Sequence, residues 1–243
     1  MADNSRERKD HPAESGIFYL DLMSHELLNF NQAVLGYLEL IQNDPSISED
    51  MKHYLISAID QVRNSSQLID DVKKIANLGL VTESTFELFA LDRVVEEAIA
   101  DLKLLYPDRN LEINFKCDAE KIYVKATDAL HDVVLNLLTN AIKFDPAETI
   151  VVDVTITHPK STPGMIDIIV EDRGPGIPDH LKKVLASETI LDDKTKRIRG
   201  MGLLLVRAAT KRFGGKLIIG NRVGNDHTQG AKLTVRLPEV RRP

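Results

Sequence analysis

Two long runs of apolar side chains, spaced alternately three and four residues apart, dominate the first third of the chain. Leu20, Met23, Leu27, Phe30, Val34, Tyr37 and Ile41 recur in this way, so residues 17–43 read as a helix with a coiled-coil-like seam. The segment NDPSISED interrupts the pattern: Asp44-Pro45 is a turn, and Ser46 or Ser48 is placed to cap the helix that follows. From Met51 the period returns at Leu55, Ala58, Val62, Ile69, Val72 and Ala76, broken at Ser65, and Asn77-Leu78-Gly79 reads as a helix end. Residues 16–80 are therefore expected to form a helical hairpin. Two helices alone leave much of each apolar stripe in water, and pairing with a second copy into a four-helix bundle removes that cost. A homodimer through this hairpin is expected.

After the linker LVTEST the pattern changes. FELFALDRVVEEAIADLKLLY reads as a short strand and a helix, LEINFKC and KIYVKA as strands, and DALHDVVLNLLTNAIKF as a helix. TIVVDVTITHP and GMIDIIVED are strands, GLLLVRAATKRFG is a last helix ended by Gly214-Gly215, and KLIIGNR and AKLTVRLP pair as strands. Residues 86–240 thus read as an α+β domain, one sheet covered by helices. The first fifteen residues are charged and lack an apolar core segment, which suits a disordered leader rather than a signal peptide.

Composition excludes several classes. The 31 Lys and Arg against 37 Asp and Glu give a net charge of −6, unsuited to a broad nucleic-acid interface. No apolar run reaches the roughly 18 residues needed to span a bilayer, so no membrane segment is expected and a cytoplasmic chain is. Cys117 stands alone, which rules out an internal disulfide and a zinc site built on several cysteines, and fits a reducing compartment.

Four groups of residues carry chemical potential. His25 lies off the seam, in a row with Leu22, Asn29 and Gln32, so its ring should face solvent. A lone helical histidine is usually without function, but Glu26 beside it is placed to accept a ring proton, and only an unprotonated ring nitrogen can attack phosphorus. Asn29, one turn on, is placed to hold a water or a phosphoryl oxygen. Asn136, Asn140 and Lys143 share one face of a helix whose other face is apolar. They are either buried amides capping nearby loops or oxygen donors for Mg²⁺ with a lysine at the phosphates. Asp172, with Gly174 and Gly176, follows an apolar strand; it is either an ordinary turn or a carboxylate that accepts from a nucleobase amine while the glycines admit the ring. Gly200 and Gly202 open a helix after a basic stretch, a weak signal for a phosphate seat at a helix N-terminus. No GxxxxGK[ST] loop exists, so any ATP binds by another fold.

Taken in order, these pieces resemble the histidine kinase family, whose ATP-binding fold is shared with gyrase, a class of heat-shock chaperones and mismatch-repair ATPases. SHELLNFNQ resembles the H-box, LNLLTNAIKF the N-box, EDRGPGIP the first glycine box and RGMGLLLV the second, over residues 17–237. The resemblance implies a dimeric four-helix bundle followed by an α/β sandwich of the Bergerat ATP-binding type. It implies His25 as phospho-acceptor, Glu26 as its acidic helper and Asn29 in phosphatase chemistry. It further implies Asn140 as principal Mg²⁺ ligand with Asn136 and Lys143 at the phosphates, and Asp172 at the adenine amine with Gly174, Gly176 and Ile177 shaping that pocket. Residues 181–199 would form a mobile ATP lid, bordered by Arg199, Gly200, Met201, Gly202 and Leu203. The partner implied is a response-regulator receiver domain, whose aspartate receives the phosphoryl group.

Three positions depart from the family pattern. Phe30 stands where the H-box usually has proline, so the usual helix kink is not expected. Ile198 replaces the first glycine of GxGxG, which stiffens the lid hinge, and no F-box appears, leaving lid packing to Leu185, Ile190 or Leu191. Slow ATP turnover is the expected consequence. The alternatives are a dimeric histidine phosphotransfer or scaffold protein with a degenerate nucleotide site, which Ile198 favours, and a stand-alone ATPase, which leaves the H-box unexplained.

Overall fold

The computed structural model describes residues 12–118, 122–186 and 202–240. The chain divides into two compact units, Met1–Leu80 and Val81–Pro243.

The first unit is a hairpin of two long helices, α1 (Pro12–Gln42) and α2 (Glu49–Leu78). α1 begins at Pro12, earlier than the seam suggests, and a proline is tolerated there because first-turn N–H groups have no intrahelical acceptor. It runs uninterrupted through Phe30. Of the two cap candidates Ser48 does the work: its hydroxyl accepts from the Met51 N–H at 3.4 Å, with Glu49 and Asp50 in the first turn favoured by the helix dipole. Gly79 ends α2, its N–H bonded to the Ala76 carbonyl at 3.0 Å.

Which row of α1 meets α2 differs from the expected seam. The sheltered positions on α1 are Ser24, Leu28, Asn31, Leu35 and Leu38, facing Leu55, Ile59, Val62 and Ser66 of α2. Asn31 Nδ2 bridges the helices, donating to Ser66 Oγ at 3.0 Å and Ser65 Oγ at 3.2 Å. The row Met23, Leu27, Phe30, Val34, Tyr37 and Ile41 points outward, with Phe30 65% and Tyr37 68% exposed. α1 carries two apolar rows and a two-helix hairpin covers one; spacing reveals that both exist without saying which is taken.

The second unit is a seven-stranded mixed sheet with helices on one face. After a single 3₁₀ turn at Glu83–Thr85 the elements run β1 (Glu87–Ala90), α3 (Leu91–Leu105), β2 (Asn110–Cys117), β3 (Tyr123–Ala126) and α4 (Ala129–Lys143). β4 (Thr149–Thr157), β5 (Met165–Glu171), α5 (Asp179–Ala186), α6 (Gly202–Arg212), β6 (Lys216–Val223) and β7 (Asp226–Val240) complete them. The sheet order is β1-β3-β7-β5-β4-β2, with β6 also on β7; β2 and β4 are parallel and the other pairs antiparallel.

Alternation explains the layering. Ile150, Val152, Val154 and Ile156 of β4, Ile166 and Ile168 of β5, and Val235 and Leu237 of β7 are fully buried or nearly so. They meet Leu130, Val133, Val134, Leu137 and Leu138 of α4, with α3 and α6 packed beside it. The opposite sheet face is polar and cross-linked: Arg236 binds Asp167 in a bidentate pair at 2.6 and 2.7 Å, and Asn114 donates to Asp153 at 2.9 Å. No helix among the described residues is long and apolar enough to cross a membrane.

Candidate functional site

The expected site residues divide between the two units, one group in the first and two in the second. On α1, His25, Glu26 and Asn29 are all exposed, and none of their side chains hydrogen-bonds to another described residue. Ser24, the residue before the outward histidine, is buried.

In the second unit the site grows from α4. Its apolar face is locked onto the sheet, so Asn136 and Asn140, four apart, project together from the opposite flank. Asn136 Nδ2 donates to the Asp132 carbonyl at 2.9 Å, which directs its Oδ1 away from the helix axis. The first residue of α6 meets that oxygen: a Cβ on Gly202 would run into Asn136 Oδ1, and Asn140 Nδ2 lies 3.8 Å from the same point. Only glycine allows so close an approach. Asn140 Nδ2 is buried without a hydrogen-bond partner, an orphaned polar atom at the mouth of a helix N-terminus. Two amides and the N-terminus of α6 therefore lie together, a setting suited to oxyanions and to a cation that prefers oxygen donors. Lys143 is exposed on the same helix, and Leu203 is half-buried in the first turn of α6. Arg199, Gly200 and Met201 lie outside the described residues.

The chain just past the C-terminus of α4 meets the second cluster. Asp172, 9% exposed, follows β5, and its Oδ1 accepts from the Gly174 and Ala231 N–H groups, each at 3.0 Å. Both bonds fall on one oxygen, leaving Oδ2 without a partner among the described residues. Burial pushes the Asp172 carboxyl above its ordinary range; the two N–H bonds and the Arg222 charge oppose this, while the Asp145 charge adds to it. Asp145, just past the C-terminus of α4 and buried, packs against Gly174, and Arg109 caps its carbonyl at 3.0 Å. Gly176 has φ +65, and a Cβ there would strike the carbonyl of His227. Ile177 is half-buried next to it.

The structure thus brings Asn136, Asn140 and Gly202 together, and separately Asp172, Gly174 and Gly176. The segment expected to be lid from residue 181 begins instead as the helix α5, tied down by Arg207, whose Nη1 donates to the Leu185 carbonyl at 3.1 Å. Leu185 is buried as expected, while Ile190, Leu191 and Ile198 lie outside the described residues. Sequence reasoning missed Ala231, Gly230, Asp145 and Arg222. Gly230, with φ +110, was the one legible signal, a glycine inside a strand pattern; a backbone N–H such as that of Ala231 leaves none.

Comparison with known proteins agrees with this geometry. Residues 125–241 match the family described as histidine kinase-, DNA gyrase B-, and HSP90-like ATPase. Histidine protein kinase DivJ of Caulobacter vibrioides is 28% identical over 236 residues, 93% of this chain and 38% of DivJ. The probable sensor histidine kinase TcrY of Mycobacterium tuberculosis is 28% identical over 221 residues, 88% of this chain and 44% of TcrY. These findings support a sensor histidine kinase catalytic core. In fold, the core aligns with full-length ShkA in complex with AMPPNP at a TM-score of 0.62 and 21% identity, over 92% of this chain and 46% of ShkA. Acinetobacter baumannii histidine kinase AdeS aligns at 0.55 and 18% identity, over 87% of this chain and 96% of the AdeS chain. The core spans about two fifths of the length of the curated relatives it matches.

Proposed function

We propose that this core binds ATP in its second unit, phosphorylates His25, and passes the phosphoryl group to an aspartate of a response-regulator receiver domain. The observation that carries the proposal is the meeting of the buried Asn140 amide and the Asn136 side chain with the N-terminus of α6, together with the buried Asp172 carboxylate, whose Oδ2 has no partner among the described residues. A triphosphate suits the first group and a base amine the second.

In this reading Asp172 Oδ2 accepts from the adenine amine, and Gly174 and Gly176 leave room for the ring. The α6 N-terminus, bordered by Gly202 and Leu203 and preceded by Arg199, Gly200 and Met201, holds the phosphates together with Lys143. The donor set fits Mg²⁺, since the Asn136 and Asn140 side chains each offer an amide oxygen, a hard ligand, while the unpaired Asn140 Nδ2 suits a phosphate oxygen as acceptor. Asn140 and Asn136 would hold the ion, whose chemistry would be to neutralise phosphate charge. A ring nitrogen of His25 forms a bond to the γ-phosphorus as the bond to the bridging oxygen breaks, and ADP leaves with that electron pair. Glu26 accepts the ring proton. In the second transfer the phosphorus–nitrogen bond breaks as a receiver carboxylate attacks. Asn29, on the same exposed face, is placed for phosphatase chemistry. The outward row of α1 supports a homodimer.

Incubating the protein with γ-labelled ATP and Mg²⁺ tests the proposal. Acid-labile, base-stable label on the wild type that vanishes in His25→Gln is the expected result. Equal labelling of that variant overturns the assignment of His25, and nucleotide binding without label points to a phosphotransfer scaffold.

A further inference from the structure

The pairing of β6 with β7 contains an irregularity that the proposed chemistry does not use. The strands stay in register from Lys216 opposite Arg236 to Asn221 opposite Ala231, then resume with Val223 opposite Asp226. Between these points β6 contributes Arg222 and β7 contributes residues 227–230. Surplus residues on one strand leave the ladder and bend away from it, a device that re-aims backbone near functional sites.

Here the surplus lands on the Asp172 loop. The Asp172 N–H donates to the Ala231 carbonyl at 3.1 Å, and the Ala231 N–H returns a bond to Asp172 Oδ1 at 3.0 Å. A Cβ on Gly230 would run into the Asp172 carbonyl, just as one on Gly176 would strike His227. The two backbones meet directly at both points, with glycine at each. Two side chains hold the bulge in that posture. Asp226 fixes its entry, accepting from the Thr228 N–H at 2.9 Å and from Thr228 Oγ1 and Gln229 Nε2 at 2.6 Å. Arg222 crosses from β6, its Nε–H donating to the Gln229 carbonyl at 2.8 Å.

We infer that Arg222 is a positioning residue for nucleobase recognition: it clamps the 227–230 bulge against the Asp172 loop and makes that bulge one wall of the base site. The inference rests on the proposed ATP site. Arg222 also acts through its charge. The groups that bear on Asp172 are the Arg222 guanidinium from β6, the Asp145 carboxylate past α4, and the N–H groups of Gly174 and Ala231. Arg173 is turned away, paired with Asp153 at 3.1 Å. The guanidinium is thus the cation favouring the ionised form, which is the form that accepts from a base amine without offering a competing proton. Protonation of Asp172 weakens base binding as the pH falls, and loss of the Arg222 charge moves that weakening to higher pH.

The test is calorimetric titration of the full chain with AMPPNP and Mg²⁺ between about pH 5 and pH 8, a range in which carboxylates of raised pKa change charge. Wild type, Arg222→Met, Arg222→Lys and Asp172→Asn are compared, so the ligand's own titration cancels between variants. Arg222→Met is expected to bind severalfold more weakly, with its acid-side loss of affinity at higher pH than wild type, and to exchange the amides of 227–231 faster. Arg222→Lys, which keeps the charge, should retain the wild-type acid limb while losing part of the clamp, and Asp172→Asn should show no such limb. Binding by Arg222→Met with wild-type affinity and pH profile overturns the inference and leaves the ATP site intact. Absence of binding by wild type at every pH overturns both.

Discussion

Asp172 combines two demands that pull against each other. Its folded-state pKa is raised, chiefly by burial, so its contribution to stability is greatest below the unfolded pKa and is lost as pH rises through the folded pKa. At neutral pH the ionised carboxylate is therefore a cost that the empty domain bears. Asp172→Asn removes the charge and keeps an oxygen for the Gly174 and Ala231 N–H groups. The expected outcome is a higher melting temperature for the empty protein at pH 7, with the gap to wild type closing as pH is lowered. The same change sets an N–H₂ against the base amine, so the melting shift produced by AMPPNP should largely vanish, a loss of about tenfold or more in affinity for one charged hydrogen bond. A thermal melt with and without nucleotide reads both effects. At this scale Asn136, Asn140 and Asp172 stand out in the sequence as candidates because amides in helical register and a carboxylate before glycines are unusual patterns. Which oxygen of Asp172 is spent on backbone, and that Ala231 supplies one of those bonds, was not, since a main-chain N–H is the same in every residue except proline.

At the scale of elements, the glycine box is a docking surface as much as a loop. Gly176 combines φ +65 with a position where a Cβ meets the His227 carbonyl, so Gly176→Ala suffers both backbone strain and steric contact. A destabilisation of about 1–3 kcal/mol is expected, measured by urea unfolding, together with weakened AMPPNP binding because the 227–230 bulge must retreat. Strand alternation in β4 and β5 and the three-four rows of α4 could be read directly, since periods of two and 3.6 are properties of local backbone geometry. The bulge in β7 was not readable: it depends on which residue of β6 lies opposite, and register is a relation between segments. Nor was α5, an eight-residue helix too short to declare a period and held by Lys182 and Arg207 contacts with β6 and α6.

Among the described residues, the outward row of α1 is a run of large apolar side chains left exposed. Phe30 and Tyr37 are 65% and 68% exposed, beside exposed Met23, Leu27, Val34 and Ile41. A continuous apolar stripe of this kind on a stable helix calls for a partner surface. Phe30→Glu with Tyr37→Glu should convert a dimer to a monomer in light scattering while preserving helicity, because the row that meets α2 is untouched; a dimer that survives both charges would place the interface elsewhere. The amino-acid sequence by itself determined that there are two units, one helical and one mixed, and singled out the candidate residues for chemistry, because apolar periodicity and local motif spacing survive without a fold. Tertiary structure alone decided which of the two apolar rows of α1 meets α2, that α6 begins against Asn136 and Asn140, and that a bulge of β7 closes on the Asp172 loop. Each of those is a contact between segments far apart in the chain, set by packing and register rather than by local propensity.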